Sequence, residues 1–421
     1  MPRTARIFIG PVPLSDGYSQ LSGWSGDCNM WLWLCRSMVL LAVSGGCSAL
    51  FSIRALAAEP QAVPVSGLVT LADKLKVSHG SSVNIVQLGD SHTAADWFSG
   101  EMRRLFQLQY GEGGIGFVAA TPVPGTRYDQ VVLAADSDQW RLISSRYQHS
   151  DEFPLGGYLA LPVAPNAHVR IGVREPHEMR YRVSALYRAD VDSGLVADDG
   201  IRHMAVPLLS TSGQWRFSRA LENLALPLDL AIISERGVAL GGWNIESQQQ
   251  TGVTYSALGI NGATLNSVDS WQAGWEHTLN ALHPDLLVLA YGGNEAFDDD
   301  LDPRRYHDEL LEKLAFLRRT LPATVLLLVG PADSIKQRSG MACEERQPKN
   351  LSRVIQIQRQ AALRAGALFW DWQAYMGGPC SIEAWQADHL AQNDLVHLNE
   401  QGYRKSAAGL YRYLQTRLAG Q

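Results

Sequence analysis

Two patterns of hydrophobic residues alternate over much of this chain. Continuous apolar runs, typical of buried parallel strands, precede segments in which apolar residues recur roughly every three or four positions, as on one face of a helix. The first such pair occupies residues 83 to 108, where VNIVQLG precedes helix-spaced residues such as Trp97 and Phe106. After Gly252 the pattern predicts, in order, strand 253 to 258, helix 269 to 281, strand 286 to 291, helix 303 to 320, strand 324 to 329, helix 351 to 365, strand 367 to 371 and a last helix from Gly402 to Leu418.

The middle of the chain, residues 120 to 247, has a different pattern. Short runs of alternating apolar and polar residues, such as YDQVVLAA, AHVRIGV and MRYRVSALY, are separated by turn residues, and no long amphipathic helix is indicated. We therefore predict an α/β fold whose parallel sheet is covered by helices on both faces, interrupted by an inserted β-sandwich. The predicted α/β domain comprises residues 58 to 119 and 248 to 421, and the insert comprises 120 to 247.

The first 57 residues have the pattern of a secretory signal. Arg36 precedes a 16-residue apolar stretch, 38 to 53, and Ala55 and Ala57 fit the small-residue positions before a cleavage at Ala58. A membrane-spanning helix needs about 20 apolar residues, so this stretch is short for an anchor. We predict export to the periplasm and a mature protein without a membrane span. Met30 and Met38 are alternative starts of the signal.

Charge excludes one class of partner. The predicted signal contains four of the 36 basic and two of the 42 acidic residues, which leaves 364 residues with a formal net charge of −8. A mildly acidic chain without a basic cluster is not expected to bind nucleic acid. The remaining length suggests two domains.

Cysteine usage bears on the compartment. Cys28, Cys35 and Cys47 fall within the predicted signal, so Cys343 and Cys380 remain in the mature chain. These two form one disulfide or stay as two buried thiols, and an oxidising periplasm favours the disulfide. No spacing of cysteines and histidines is typical of zinc, and we predict neither a metal nor a cofactor.

Ser91 lies where the first predicted strand meets the first predicted helix. The apolar run stops at Gly89 and is followed by Asp90, Ser91 and His92. At a helix N-terminus, unpaired backbone N–H groups and the helix dipole favour developing negative charge, which suits a nucleophile. The alternative is a turn glycine followed by a serine that only caps the helix, and the tripeptide alone favours neither interpretation.

Asp394 and His397 stand together just before the last predicted helix. A serine nucleophile needs a base within hydrogen-bond distance, and the base needs a carboxylate that holds its tautomer and stabilises the protonated ring. These two residues can supply both functions from one loop. The alternative is an aspartate that caps the helix beside a surface histidine, and Asp388 with His389 shows that such pairs occur without a motif.

Two further segments can supply hydrogen-bond donors for an oxyanion. Gly262, in LGINGATLNS, could present its backbone N–H without obstruction, although it could equally be an ordinary turn residue. Asn294 follows the buried run PDLLVLAYGG, and the carboxyl end of a parallel strand is where α/β proteins bind ligands. Its alternative is a left-handed turn residue.

Taken in order, these motifs resemble the blocks of the SGNH (GDSL) hydrolase superfamily: Gly-Asp-Ser, a glycine block, Gly-x-Asn and Asp-x-x-His. The resemblance implies a flavodoxin-like three-layer fold and a catalytic triad of Ser91, His397 and Asp394. It also implies an oxyanion hole formed by the N–H groups of Ser91 and Gly262 and the side-chain amide of Asn294.

A narrower resemblance concerns the substrate. The phrases GDSHTAADWF, YGEGGIGF, YSALGINGA and FWDWQAYMGG are similar to those of the periplasmic peptidoglycan O-acetylesterases of Gram-negative bacteria. One departure from the superfamily is Glu295, which follows Asn294 where aspartate is common and leaves the amide donor in place. The resemblance implies a serine esterase that removes O-acetyl groups from a cell-envelope glycan, above all peptidoglycan, through an acyl-enzyme.

Three other functions remain open. An O-acetyltransferase acting on a periplasmic polysaccharide would use the same residues, because only the acceptor of the acyl group differs. A lysophospholipase or thioesterase of the same superfamily would need a long apolar groove, which suits the β-rich insert less. A glycan-binding protein without activity is disfavoured because all four motifs are intact.

The insert is expected to engage the substrate, because no motif of the site falls within 120 to 247. The superfamily resemblance implies that it is similar to a carbohydrate-binding module. Trp140, Trp215 and Trp243 could stack on sugar rings there, although burial in a core is the more frequent role of a tryptophan.

Overall fold

The structure is a computed structural model that describes residues 64–148, 150, 152–175, 178–233, 236–337, 339 and 342–421. The predicted signal, residues 1 to 57, lies outside the described residues, and so do its alternative starts. Over the described ranges, no helix combines the length and the apolar character needed to cross a membrane.

Strands and helices alternate at both ends of the described chain, and strands alone fill its middle. The strands are β1 (Ser82–Gly89), β2 (Gly114–Ala119), β3 (Val131–Ala134), β4 (Trp140–Ser144), β5 (Tyr158–Pro162), β6 (Ala167–Val173), β7 (Tyr181–Ala189), β8 (Ser193–Asp198), β9 (His203–Leu208), β10 (Arg216–Phe217), β11 (Leu221–Leu224), β12 (Leu228–Ile232), β13 (Val238–Ser247), β14 (Gly252–Gly259), β15 (Leu286–Ala290), β16 (Val325–Val329) and β17 (Leu368–Trp370). The α-helices are α1 (Leu68–Lys76), α2 (Ser91–Ala94), α3 (Trp97–Tyr110), α4 (Trp275–Ala281), α5 (Gly293–Phe297), α6 (Pro303–Thr320), α7 (Cys343–Arg346), α8 (Leu351–Ala365), α9 (Trp372–Met376), α10 (Ser381–Ala387) and α11 (Glu400–Ala419), with short 3-10 helices at Ser78–Gly80 and Leu265–Ser270.

Five parallel strands form one sheet in the order β14, β1, β15, β16, β17. Successive side chains of β1 enter two separate cores. Val86 and Leu88 pack with residues of α4, α6 and α8, whereas Val83 and Ile85 pack with residues of α1, α3 and α11. Because neighbouring residues of a strand face opposite sides of the sheet, a sheet covered on both faces requires a nearly continuous apolar run. The predicted three-layer α/β fold is confirmed.

The β-rich middle consists of two antiparallel sheets. One contains β10, β7, β13, β5 and β4, with β11 beside β7 and β2 beside β13, and the other has the order β3, β6, β12, β8, β9. Residues of both sheets, among them Ile171, Leu230, Trp243 and Ile245, share one apolar core, as in a β-sandwich. Strand β2 precedes the predicted boundary at residue 120. The segment boundaries themselves remain a prediction.

One predicted helix is wrong in part. Residues 269 to 281 contain a break before α4, because Trp271 has an extended backbone (φ −81°, ψ 145°) and Gly274 is left-handed (φ 92°). Trp271 forms a parallel bridge with Phe153, and the Gln272 N–H donates to the Phe153 carbonyl at 2.8 Å. Contacts with a distant segment replace the helical hydrogen bonds here, and local periodicity does not indicate such contacts.

The three tryptophans of the β-rich part are core residues. Trp140, Trp215 and Trp243 have only 7 %, 8 % and 1 % of their surface exposed. Each indole N–H donates to a backbone carbonyl at 2.9 to 3.0 Å. Sugar stacking on these residues is therefore wrong, because both their ring faces and their polar atoms are engaged inside the protein.

Cys343 and Cys380 form a disulfide, with their Cα atoms 5.9 Å apart. Cys343 begins α7 and Cys380 directly precedes α10, so the bond closes a loop that contains α8. The predicted disulfide is confirmed, and the alternative of two free thiols is wrong.

Candidate active site

Ser91 is the first residue of α2, just beyond the carboxyl end of β1. Asp90 caps this helix, because its Oδ1 accepts the His92 N–H at 3.0 Å. The alternative of a serine that only caps the helix is therefore wrong. Gly89 is required by the close approach of β15, since a β-carbon at this position would lie 2.8 Å from the carbonyl oxygen of Ala290.

The structure brings the two ends of the predicted triad together. Ser91 Oγ lies 2.9 Å from His397 Nε2, and His397 Nδ1 lies 2.6 Å from Asp394 Oδ2. Asp394 Oδ1 also accepts the backbone N–H groups of Val396 and His397 at 3.0 and 2.9 Å. Partial burial favours the neutral carboxyl, but the hydrogen bonds from the ring and backbone of His397 and from Val396 outweigh it and lower the pKa of Asp394. An ionised carboxylate therefore faces His397 Nδ1.

The neighbouring pair Asp388 and His389 lies apart from this site. Both residues are exposed, and the His389 carbonyl accepts a hydrogen bond from the Asn399 side chain. Asn399 is the residue that caps α11, since its Oδ1 accepts the Gly402 N–H at 3.0 Å. The helix-capping alternative considered for Asp394 is thus wrong.

Three potential hydrogen-bond donors for an oxyanion lie at this site, and one of them is the N–H group of Ser91. Over the described ranges, the backbone N–H groups of Ser91 and Gly262 have no hydrogen-bond partner. Gly262 has φ 77°, a left-handed conformation that glycine adopts without strain. Asn294 lies within α5 rather than in a left-handed turn, and its Nδ2 donates to the Ala263 carbonyl at 2.8 Å. An amide nitrogen carries two hydrogens, so a second one remains for a ligand.

Glu295 connects the segments that carry Gly262 and Asn294. Its Oε1 accepts the Leu265 N–H at 2.8 Å, and its Oε2 accepts the Gly292 N–H at 3.0 Å. Burial raises the pKa of Glu295, and the backbone hydrogen bonds oppose this effect. The sequence marked Glu295 only as a departure from a pattern. Its role in holding two loops at a fixed distance depends on contacts that the sequence does not show.

His92 lies behind His397, with the two ring centroids 5.3 Å apart. His92 Nδ1 is 2.8 Å from the Tyr403 hydroxyl. Burial, and then the neighbouring His397, lower the pKa of His92 to about 3, so its ring stays neutral near pH 7. Burial likewise raises the pKa of Asp90 to about 7, although the His92 N–H opposes the shift. Both residues lie next to Ser91 in the chain, and the sequence indicated no role for either of them.

Four of the five predicted site residues, Ser91, Gly262, Asn294 and His397, line one cleft of about 470 Å³, a size typical of small-molecule sites. The fifth, Asp394, reaches the cleft only through its hydrogen bond to His397. The remaining lining residues are Asp90, His92, Gly125, Arg146, Asn261, Gly293, Phe297, Ala332, Ser334 and Val396. Arg146 comes from the turn after β4, in the β-rich part, and no motif indicated it. In the part of the chain that the structure describes, no group of three His, Cys, Asp or Glu side chains is arranged to hold a metal.

Two family models match this chain. Residues 113–229 match "Peptidoglycan O-acetylesterase, N-terminal", and residues 238–405 match the "GDSL-like Lipase/Acylhydrolase family". A comparison with curated proteins finds no match.

Among solved structures, one described as "Peptidoglycan O-acetylesterase in action" is 30 % identical to this chain, with a TM-score of 0.75. The match covers 85 % of this chain and 97 % of that protein. A putative GDSL-like lipase from Parabacteroides merdae is 19 % identical with a TM-score of 0.32, covering 40 % of this chain and 75 % of that one. An acetyl xylan esterase is 17 % identical with a TM-score of 0.31, covering 39 % and 82 %. Likeness at the level of the last two does not bear on function.

Proposed function

The chain belongs to the family of the GDSL-like peptidoglycan O-acetylesterases and is an esterase, and from this premise we propose that it removes O-acetyl groups from peptidoglycan. The observation that carries the proposal is the hydrogen-bonded series Ser91–His397–Asp394, with distances of 2.9 and 2.6 Å. Ser91 and His397 line the same cleft as Gly262 and Asn294, which carry two of the potential oxyanion donors. A nucleophile, its base, an orienting carboxylate and oxyanion donors are the parts that acyl transfer needs.

In the first half of the proposed reaction, Ser91 Oγ attacks the carbonyl carbon of the acetyl group. His397 Nε2 takes the hydroxyl proton as the Oγ–C bond forms. Asp394 accepts the hydrogen bond from Nδ1, which fixes the tautomer and stabilises the protonated ring. The bond between the acetyl carbon and the sugar oxygen then breaks, and His397 returns its proton to that oxygen.

In the second half, water replaces the sugar. As the water oxygen attacks the acetyl carbon on Ser91, His397 takes a proton from the water. The ester bond to Oγ then breaks, Oγ regains the proton from His397, and acetic acid leaves. Each half passes through a tetrahedral intermediate whose negative oxygen requires donors that are already oriented.

The proposed oxyanion hole consists of the Ser91 and Gly262 N–H groups and Asn294 Nδ2. Over the described ranges, the two backbone N–H groups have no hydrogen-bond partner, and Asn294 Nδ2 donates to the Ala263 carbonyl at 2.8 Å. Glu295 supports this arrangement, because its carboxyl group accepts hydrogen bonds from the backbone N–H groups of Leu265 and Gly292. Preorganised donors of this kind stabilise the intermediate without reorientation during the reaction.

A periplasmic location is part of the proposal. The Cys343–Cys380 disulfide supports it, because such bonds persist in oxidising compartments. The cleft combines the apolar side chains of Phe297 and Val396 with polar ones such as Asn261, which suits an acetyl group on a sugar.

The test compares substrates and acceptors on the mature protein. Wild type and Ser91→Ala are incubated with O-acetylated peptidoglycan, O-acetylated xylan and long-chain acyl esters, with and without added sugar. We expect acetate release from peptidoglycan by wild type and a loss of about 10⁴- to 10⁶-fold in Ser91→Ala, which should fold normally.

Other outcomes assign the protein elsewhere. Transfer of acetate to the added sugar in place of release would identify an acetyltransferase, and preference for long acyl chains would identify a lipase or thioesterase. Near-normal esterase activity in folded Ser91→Ala would refute the acyl-enzyme mechanism.

A further inference from the structure

The β-rich part places Arg146 in the cleft. Arg146 follows β4, in a turn whose Ser145 N–H donates to the Gly157 carbonyl at 3.0 Å. Its guanidinium lies against the proposed oxyanion residue, since a β-carbon at Gly262 would be 3.2 Å from Arg146 Nε. An exposed arginine thus lies beside Gly262, on a segment distant in sequence from every motif of the site.

Arg146 and Gly262 line two neighbouring cavities. One is the cleft that contains Ser91, and the other is a groove of about 480 Å³. The groove is lined largely by hydroxyl and amide side chains, namely Ser145, Ser150, Thr264, Asn266, Ser267 and Ser270. Ser145 Oγ is buried without a hydrogen-bond partner among the described residues. A groove of this chemistry suits a sugar that extends beyond the acetylated position.

Among the described residues, the two cavities share one basic residue, and each has one acidic residue, Asp90 in the cleft and Asp269 in the groove. Among the described residues that line them, Arg146 is the single lysine or arginine. The acidic residue of the groove, Asp269, is already paired with Lys313 at 3.0 Å. Over the described ranges the Arg146 guanidinium contacts the Tyr147 ring, 5.0 Å from its centroid, and forms no ion pair. A cation that has no carboxylate partner among the described residues and lies between two ligand-sized cavities is suited to an anion that comes with the substrate.

We propose that Arg146 binds a carboxylate of the substrate and makes the enzyme selective for acidic O-acetylated glycans. The inference rests on the function proposed above and specifies its substrate. A guanidinium presents two parallel N–H groups that match a carboxylate, and such charge-assisted bonds are stronger than neutral ones. Peptidoglycan carries carboxylates on its peptides, and on the lactyl ethers of its sugars where no peptide is attached. Neutral acetylated glycans such as xylan chains without acid substituents would lack this contact.

The experiment uses two acetyl esters that differ only in charge: an O-acetylated amino sugar bearing a lactyl ether with a free carboxylate, and the same compound as its carboxamide. We expect wild type to favour the acid about tenfold in kcat/KM, mainly through KM, with the preference decreasing as salt screens the charges. Arg146→Gln should abolish the preference, and Arg146→Lys should retain part of it. Arg141→Gln removes an exposed arginine from the same hairpin, outside both cavities, and should behave as wild type.

Three outcomes would overturn the inference: no preference in wild type, an unchanged preference in Arg146→Gln, or an equal loss of kcat for both esters. The last would mean that Arg146 supports the Gly262 segment rather than the acid. Calorimetric titration of Ser91→Ala with the deacetylated acid and amide gives an independent measurement. This titration tests whether the acid binds more tightly than the amide, even if the esterase proposal fails. The difference in affinity should disappear in Ser91→Ala/Arg146→Gln.

Discussion

The parallel sheet and the antiparallel sheets contribute to the cleft in different ways. Ser91, Gly262 and Asn294 each follow the carboxyl end of a parallel strand, where the topology of an α/β fold concentrates ligand-binding groups. From the β-rich part only Gly125 and Arg146 line the cleft, among the described residues, and both lie in connections between strands. The position of reactive groups therefore follows from the fold type, whereas the contribution of the β-rich part depends on which loop reaches the cleft.

The two parts are nevertheless packed together. Phe153, Leu155 and Trp215 of the β-rich part belong to the same buried cluster as Leu258 and Ile260 at the end of β14. Because such interiors are close-packed, the loop that carries Arg146 is held in a defined position relative to the strand ends. This comparison can be tested with substitutions that change the reactive groups and with others that change only the packing.

The largest effect is expected at the strand-end site. His397→Ala should lower kcat by about 10⁴- to 10⁶-fold, because Ser91 then has no base. His389→Asn is the matched control, since His389 is exposed, lies outside the cleft and has the left-handed backbone that asparagine tolerates (φ 57°). Acetate release is the measurement. Comparable losses in both variants would show that the wrong loop was identified.

The β-rich part should respond through stability. Trp140→Ala removes a buried indole and its bond to the His168 carbonyl, so we expect a loss of about 3 to 5 kcal/mol in the free energy of unfolding. Where the variant remains folded, its turnover of small and polymeric esters should fall together or not at all. A selective loss of polymer turnover at full stability would restore a direct role of Trp140 in sugar binding.

Loss of the proposed oxyanion donor Asn294 should have a smaller effect than loss of the proposed base His397. Asn294→Ala is expected to reduce kcat by about 10²- to 10³-fold with little change in KM, because the donor acts on the tetrahedral intermediate. Asn280→Ala, at an exposed position of α4, is the control. A change confined to KM would indicate that Asn294 binds the ground state instead.

The disulfide should matter for folding and not for chemistry. Replacing both Cys343 and Cys380 by alanine should lower the free energy of unfolding by roughly 2 to 4 kcal/mol, because the unfolded chain gains freedom. Denaturant unfolding with and without reductant measures this difference. The idea would be contradicted by wild-type stability that is identical in both conditions while thiol counts confirm reduction.

The buried carboxyl beside Ser91 should make stability depend on pH. Burial raises the pKa of Asp90 from 3.8 to about 7. Between these values the unfolded chain releases this proton while the folded chain keeps it. The free energy of unfolding therefore falls as pH rises from 3.8 to about 7, by at most about 1.4 kcal/mol per pH unit from this group.

Asp90→Asn should remove this slope, because asparagine keeps an oxygen for the His92 N–H and does not ionise. The measurement is denaturant unfolding of both proteins at about pH 4.5 and pH 7.5. Wild type should lose more stability than the variant between the two. Parallel changes would mean that Asp90 is ionised throughout.

The sequence by itself determined the elements that depend on local pattern. The apolar run of β1 and the helices α6 and α8 follow from periodicity within a few residues. Ser91 was indicated by its place between a predicted strand and helix, Asn294 by the end of a predicted parallel strand, and His397 by its spacing from Asp394. These features require no knowledge of distant contacts.

Only the tertiary structure decided the features that depend on distant neighbours. The break at Trp271 is made by a bridge to Phe153, and the alignment of two loops is made by Glu295. The burial of Trp140 and the position of Arg146 beside Gly262 likewise result from packing between segments far apart in the chain. Periodicity records which side of an element is apolar, but the partner that covers it, and any charge that the partner brings, are fixed only when the whole chain packs.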